Sequence, residues 1–171
     1  HGDPEVVGYF INRRNFFCGK WIRGCGWYPS YNLRLFRTGL GRYEDRAVDA
    51  DLDVVGPVCY LQNDMLHYTY PTISDFLKKL DRYTRWEAEE RQKLAQKYPA
   101  HVDRSGGLTV RGVLRSIRRM CPGAILPSLV FLYMFVWCGG FRDGRHGWVL
   151  SNLYAYQEFL VNVKLWEQKQ H

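Results

Sequence analysis

Four arginines, Arg111, Arg115, Arg118 and Arg119, crowd one stretch whose apolar partners are Val110, Val113, Leu114, Ile117 and Cys121. Read at helical spacing, this is an amphipathic helix with guanidinium groups on one side and an apolar stripe on the other. Guanidinium forks pair with phosphate oxygens, so the pattern fits an anionic surface. A second group is acidic: Glu44, Asp45, Asp49 and Asp51 offer carboxylates that can take a proton from a hydroxyl, and Asp49 and Asp51 share one face if the chain is extended there. His67 stands in a strand-like stretch, whereas His1, His101, His146 and His171 have no comparable context. The five cysteines, Cys18, Cys25, Cys59, Cys121 and Cys138, form no CxxC pair and no zinc spacing. They read as reduced thiols of a cytoplasmic protein.

The whole chain bounds these options. Its 171 residues, with 46% hydrophobic and 24% charged content, suit one domain or one compact unit with an appendage. Aromatic residues make up 16%, which serves cores, sugar platforms and membrane interfaces alike. The net charge of +7 calls for an anionic partner. A nucleic-acid-binding module would satisfy that charge. Against it, the basic residues are dispersed or gathered on the amphipathic helix, and no RNP, zinc-finger or helix-turn-helix pattern is present. The opening His1-Gly2-Asp3-Pro4 has neither a signal-peptide pattern nor an initiating methionine, and it reads as a cut inside a longer chain.

The elements that must position these groups fall into three segments. Strand signals occupy Val7–Asn12, Asn32–Arg37, Ala47–Val54, Val58–Leu61 and Met65–Tyr70, with Gly24-Cys25-Gly26-Trp27-Tyr28-Pro29 as a loop. Residues 72–98 predict a long helix, with Thr72 as N-cap, Asp75 three residues on, and Pro99 as its stop. A linker, 100–107, leads to the amphipathic helix from Thr109 to Cys121. The apolar run Ala124–Cys138 has fifteen residues, short of the roughly 20 that a spanning helix needs. A turn at Gly139–Gly144 and a final helix near Trp148–Gln168 complete a helical hairpin, packed on the domain or lying in a bilayer interface. Tyr133, Trp137, Trp148 and Tyr154 suit either setting.

Two blocks are more specific: Arg13-Arg14-Asn15-Phe16-Phe17-x-Gly19-Lys20-x-Ile22-Arg23, and Gly26-Trp27-Tyr28-Pro29-x-Tyr31-x-Leu33-Arg34-Leu35-Phe36-Arg37. Further blocks are Gly56-Pro57-Val58, His67-Tyr68-x-Tyr70, Asp81-Arg82-Tyr83, Glu87-Ala88, Gly140-Phe141-x-Asp143-Gly144 and Lys164-Leu165-Trp166-Glu167. Together they resemble family 2 glycosyltransferases of the lipopolysaccharide-core β-glucosyltransferase type, over nearly the whole chain. The resemblance implies an α/β class, the C-terminal part of a GT-A, Rossmann-like fold. On that view residues 1–71 are the acceptor-side part of the catalytic domain, 72–107 a long helix and linker, and 108–171 a membrane-interfacial helical hairpin. A donor-binding half with a DxD metal motif would precede His1. Asp49-Ala50-Asp51 and Asp51-Leu52-Asp53 are not that motif, because they follow the second block.

The same resemblance implies roles. Gly26, Trp27 and Tyr28 would form the acceptor-binding loop, with Trp27 stacking on a pyranose. Asp49, or else Asp45, would be the catalytic base, although relatives carry His-Glu where this chain has Asp49-Ala50. His67 would complete the shell of a divalent metal, Mg or Mn, in the full-length enzyme. The implied activity is inverting hexosyl transfer from a nucleotide sugar to a lipid-linked or lipopolysaccharide-type glycan acceptor. The implied place is the inner face of the cell membrane, peripheral and cytoplasmic, with Arg111, Arg115, Arg118 and Arg119 touching anionic lipid. Nucleic acid is not an expected partner. The alternative is an inactive membrane-association or nucleic-acid-binding module; the isolated chain itself is expected to be inactive.

Overall fold

One strand organises the chain. In the computed structural model, which describes residues 5–43, 52–97, 123, 125–168 and 170, β1 (Gly8–Phe17) has strands on both of its edges. Along one edge it pairs antiparallel with β3 (Tyr31–Phe36) and then with the short β2 (Lys20–Trp21). Along the other it pairs parallel with β6 (Val58–Tyr60) and then with β7 (Met65–Tyr70). The result is a mixed five-stranded sheet, beside a two-stranded ribbon of β4 (Gly41–Tyr43) and β5 (Leu52–Val54). The class is α/β, as the sequence predicts.

β1 runs five residues beyond the predicted Asn12. Its extension contains Arg13, Arg14 and Asn15, which lack the apolar alternation of a strand. Tertiary pairing replaces that signal: Asn12 and Asn15 are buried with their side-chain amides hydrogen-bonded. The predicted strand at Ala47–Val54 is described only from Leu52 on.

α1 (Ile73–Lys97) follows the sequence closely. Thr72 and Asp75 form a reciprocal cap: the Asp75 N–H donates to Thr72 Oγ1 at 3.1 Å, and the Thr72 N–H donates back to Asp75 Oδ2 at 3.2 Å. Phe76, Leu80, Thr84 and Ala88, four apart, form its buried line. α2 (Leu126–Leu132) starts with Pro127 in its first turn, where a missing N–H costs nothing. It continues as a π-helical turn through Tyr133–Trp137. A 3-10 turn at Gly140–Asp143 then reverses the chain into α3 (Arg145–Gln168), which packs along both α1 and α2. Glu158 of α3 is buried and pairs with Arg91 of α1 at 3.1 Å, while Lys164 reaches Asp81 at 2.7 Å.

The sheet and the hairpin meet at an interlock of small residues. Asp143, 3% exposed, accepts the backbone N–H groups of Arg23 at 3.1 Å and Gly24 at 2.7 Å. Lys20 donates to the Asp143 carbonyl at 2.8 Å. Gly139 and Gly144 flank the 3-10 turn with φ of 68° and 61°, a region that glycine adopts without strain. Gly24 lies against the Gly139 carbonyl, Gly147 against the Gly140 carbonyl, and a Cβ on Gly140 would sit 2.7 Å from the Cys25 sulfur. Phe17, Ile22, Cys25, Leu126, Val130, Met134 and Leu150 form the core that this contact closes.

The Asp45, Asp49, Arg111, Arg115, Arg118 and Arg119 expectations, the linker and the amphipathic helix lie outside the described residues. The interlock itself is testable. Gly24→Ala would drive a methyl group into the Gly139 main chain, and such overpacking costs about 1–3 kcal/mol. Equilibrium urea unfolding should show that loss, whereas Gly19→Ala, which meets no neighbour, should lose less despite its φ of +79°.

Candidate functional site

The residues with chemical potential sort by strand parity. On β1, Arg13 and Asn15 face one side of the sheet, while Asn12, Arg14 and Phe16 face the other. Parallel pairing puts His67 opposite Asn15, and antiparallel pairing puts Asn32 opposite Ile11. His67 therefore shares the Arg13 face, while Arg34 is the unpaired residue where the β1–β3 register shifts between Tyr9 and Phe10.

On the Arg14 face the polar groups converge on one carboxylate. Asp64, in the turn between β6 and β7, accepts Asn12 Nδ2 at 2.8 Å, Arg14 Nε at 2.8 Å and the Tyr28 hydroxyl at 3.1 Å. These donors, Arg14 first, hold its pKa below the ordinary 3.8. Asn12 also accepts the Ser30 N–H at 2.7 Å, so the loop ending in Ser30 is tied to β1 and to Asp64 together. The Trp21 ring lies between two guanidinium groups, Arg14 at 4.8 Å and Arg23 at 4.4 Å, with Tyr28 edge-on at 5.2 Å. Asp64 has no periodicity to betray it in the sequence; only its place in the turn Gln62-Asn63-Asp64 hints at a capping role.

The predicted acceptor loop is well fixed. Gly26 has φ of 71°, which the turn requires. The Trp27 carbonyl accepts Asn15 Nδ2 at 2.9 Å, and Thr69 donates to Asn15 Oδ1 at 3.3 Å. The Trp27 ring packs toward the core, with Phe17 at 6.4 Å and Tyr70 and Tyr154 at 6.3 Å. Trp27 is partly buried against the core cluster. Tyr28 is committed through its hydroxyl to Asp64.

His67 has surroundings that the sequence does not disclose. Burial and three cations, Arg13, Arg34 and Lys79, hold its pKa below 6.5. No set of three or more His, Cys, Asp or Glu that could hold a metal ion occurs among the described residues. The metal role of His67 belongs to the full-length enzyme, and the acidic stretch Glu44–Asp51 lies outside the described residues.

A second surface lies on the hairpin. Trp148, Asn152, Tyr156, Phe159, Val163 and Trp166 follow one another at four- and three-residue steps along α3, and all are exposed. At 1.5 Å per residue the stripe runs about 27 Å. Leu132, Val136, Trp137 and Phe141 are exposed nearer the turn, Trp137 at 82%. No described helix is long and apolar enough to cross a membrane.

No protein-family model and no solved structure matches this chain.

The Asp64 network has a pH signature. A carboxylate with a depressed folded pKa stabilises fully above its unfolded value and loses that contribution as pH falls through the folded value. Asp64→Asn should thus lower the thermal midpoint at neutral pH by about 4 °C or more. The gap between variant and wild type should close as pH drops below 3.8. Thermal scans by circular dichroism across that range check both.

Proposed function

We propose that the chain is the acceptor-side part of an inverting family 2 glycosyltransferase of GT-A fold. It would transfer a hexose from a nucleotide sugar to a lipid-linked or lipopolysaccharide-type acceptor. One observation carries the proposal. The blocks that resemble this family, distant in sequence, are hydrogen-bonded into one unit around β1. The Arg13–Phe17 block holds the Trp27 block through Asn15, the His67–Tyr70 block meets it through Thr69, and the Gly140–Gly144 block holds its end through Asp143.

In this reaction a carboxylate removes the proton of the acceptor hydroxyl as its oxygen attacks the anomeric carbon. The bond from that carbon to the nucleotide diphosphate breaks, and the configuration inverts. Asp49 is the first choice for the base and Asp45 the second. The divalent metal of such an enzyme, Mg or Mn, would be held by acidic groups on the donor side, with His67 completing its shell.

The aromatic stripe of α3 supports a peripheral position at an anionic membrane face. Tryptophan and tyrosine settle at head-group level, and from residue 99 onward nine Lys and Arg stand against four Asp and Glu. Arg111, Arg115, Arg118 and Arg119 would add roughly 1 kcal/mol each near anionic lipid. The same stripe favours one second reading, an inactive membrane-association module.

Transfer of radiolabelled hexose by the gene product carrying this chain, assayed on anionic vesicles bearing glycan acceptor, separates the two. Asp49→Asn is expected to cost about 10²–10⁴ in rate, with vesicle binding unchanged. Vesicle binding without transfer from any nucleotide sugar would leave the membrane module. Equal activity of Asp49→Asn and Asp45→Asn with wild type would remove both carboxylates as bases.

A further inference from the structure

The corner that joins α2 to α3 divides its residues sharply. Met134, Gly140, Asp143 and Gly147 are buried, while Leu132, Val136, Phe141 and Trp148 are each more than half exposed and Trp137 is 82% exposed. The π-helical turn leaves Val136 and Trp137, neighbours in sequence, both on the outside. Its Cys138 N–H donates to the Tyr133 carbonyl at 2.8 Å, five residues back, where an α turn closes over four.

The same corner carries positive charge. Arg142 and Arg145 are exposed, and they make no ion pair among the described residues. Lys20 of β2 adds its ammonium, 2.8 Å from the Asp143 carbonyl. Asp143 is the sole acid between Leu132 and Trp148, and its buried carboxylate is occupied by the N–H groups of Arg23 and Gly24. Apolar rings beside cations match the layered chemistry of an anionic phospholipid surface, where rings settle at head-group level and guanidinium groups meet phosphate. A second copy of the chain fits poorly. A two-fold contact through this corner would set Lys20, Arg142 and Arg145 against their own equivalents.

We propose that this corner is the part of the chain that enters an anionic phospholipid surface, with Trp137 deepest and Arg142, Arg145 and Lys20 on the head-group phosphates. The inference rests on the membrane part of the proposed function and not on glycosyl transfer. It adds which end of the hairpin makes contact: the corner leads, and the α3 stripe approaches the surface from its Trp148 end.

The test is flotation of the full chain with phosphatidylcholine vesicles, with and without phosphatidylglycerol. Wild type should float with the anionic vesicles and less with the neutral ones. Trp137→Ala should weaken partitioning about tenfold, and more than Trp166→Ala near the far end of α3. Arg142→Gln combined with Arg145→Gln should weaken it about tenfold or more on anionic vesicles and change little on neutral ones. All of these side chains are exposed, and circular dichroism checks that each variant is folded. A loss with Trp166→Ala equal to or greater than that with Trp137→Ala overturns the proposal while sparing the membrane reading, and so does anionic binding unchanged in either corner variant. No flotation of wild type on either vesicle overturns both, whatever the transfer assay shows. Dimers that depend on Trp137, without vesicle binding, would assign the corner to a second copy and likewise overturn it.

Discussion

The contact on which the structure depends is the buried carboxylate of Asp143 receiving the backbone N–H groups of Arg23 and Gly24. Three layers of consequence follow. The loop after β2 would otherwise bury the unpaired Gly24 N–H, a loss of about 1–3 kcal/mol. The close approach of Gly24 to Gly139, and of Gly147 to Gly140, lets the hairpin sit against the strands with no side chain between. The core residues from both parts, Phe17, Ile22 and Cys25 on one side and Leu126, Val130, Met134 and Leu150 on the other, then pack as one cluster. A larger residue at these glycines or a lost carboxylate would affect sheet and hairpin together.

That anchoring leaves two surfaces with distinct chemistry. One face of the sheet carries Arg13 and His67, with Lys79 of α1 reaching the Thr69 carbonyl at 3.5 Å. The outer line of α3 gathers exposed aromatic rings over a helix pinned by Glu158–Arg91 and Lys164–Asp81.

Much of the fold was legible in the sequence where local rules govern. The cap of α1, its length and the strands at Asn32–Arg37, Val58–Leu61 and Met65–Tyr70 match their elements to within a few residues. The second half of β1 was not legible, because Arg13, Arg14 and Asn15 carry polar contacts to distant loops where a strand usually alternates apolar side chains. β2 is two residues long, too short for any periodicity. At the site, the blocks that brought Trp27, His67 and Asp143 forward did come together in space, but their roles differ. Trp27 is partly buried against the core, and the cations that depress the His67 pKa come from three other elements that no local pattern links to it. Asp64 organises one face of the sheet from a turn with no motif.

The most direct measurement of the central claim is native-state amide hydrogen exchange resolved at Arg23 and Gly24. If the Asp143 carboxylate joins sheet and hairpin, these two loop amides should exchange as slowly as those of β1 at Phe10 and Ile11, through the same global opening. Fast exchange at Arg23 and Gly24 beside protected β1 amides would show that the hairpin detaches while the sheet stays folded, and would contradict the account.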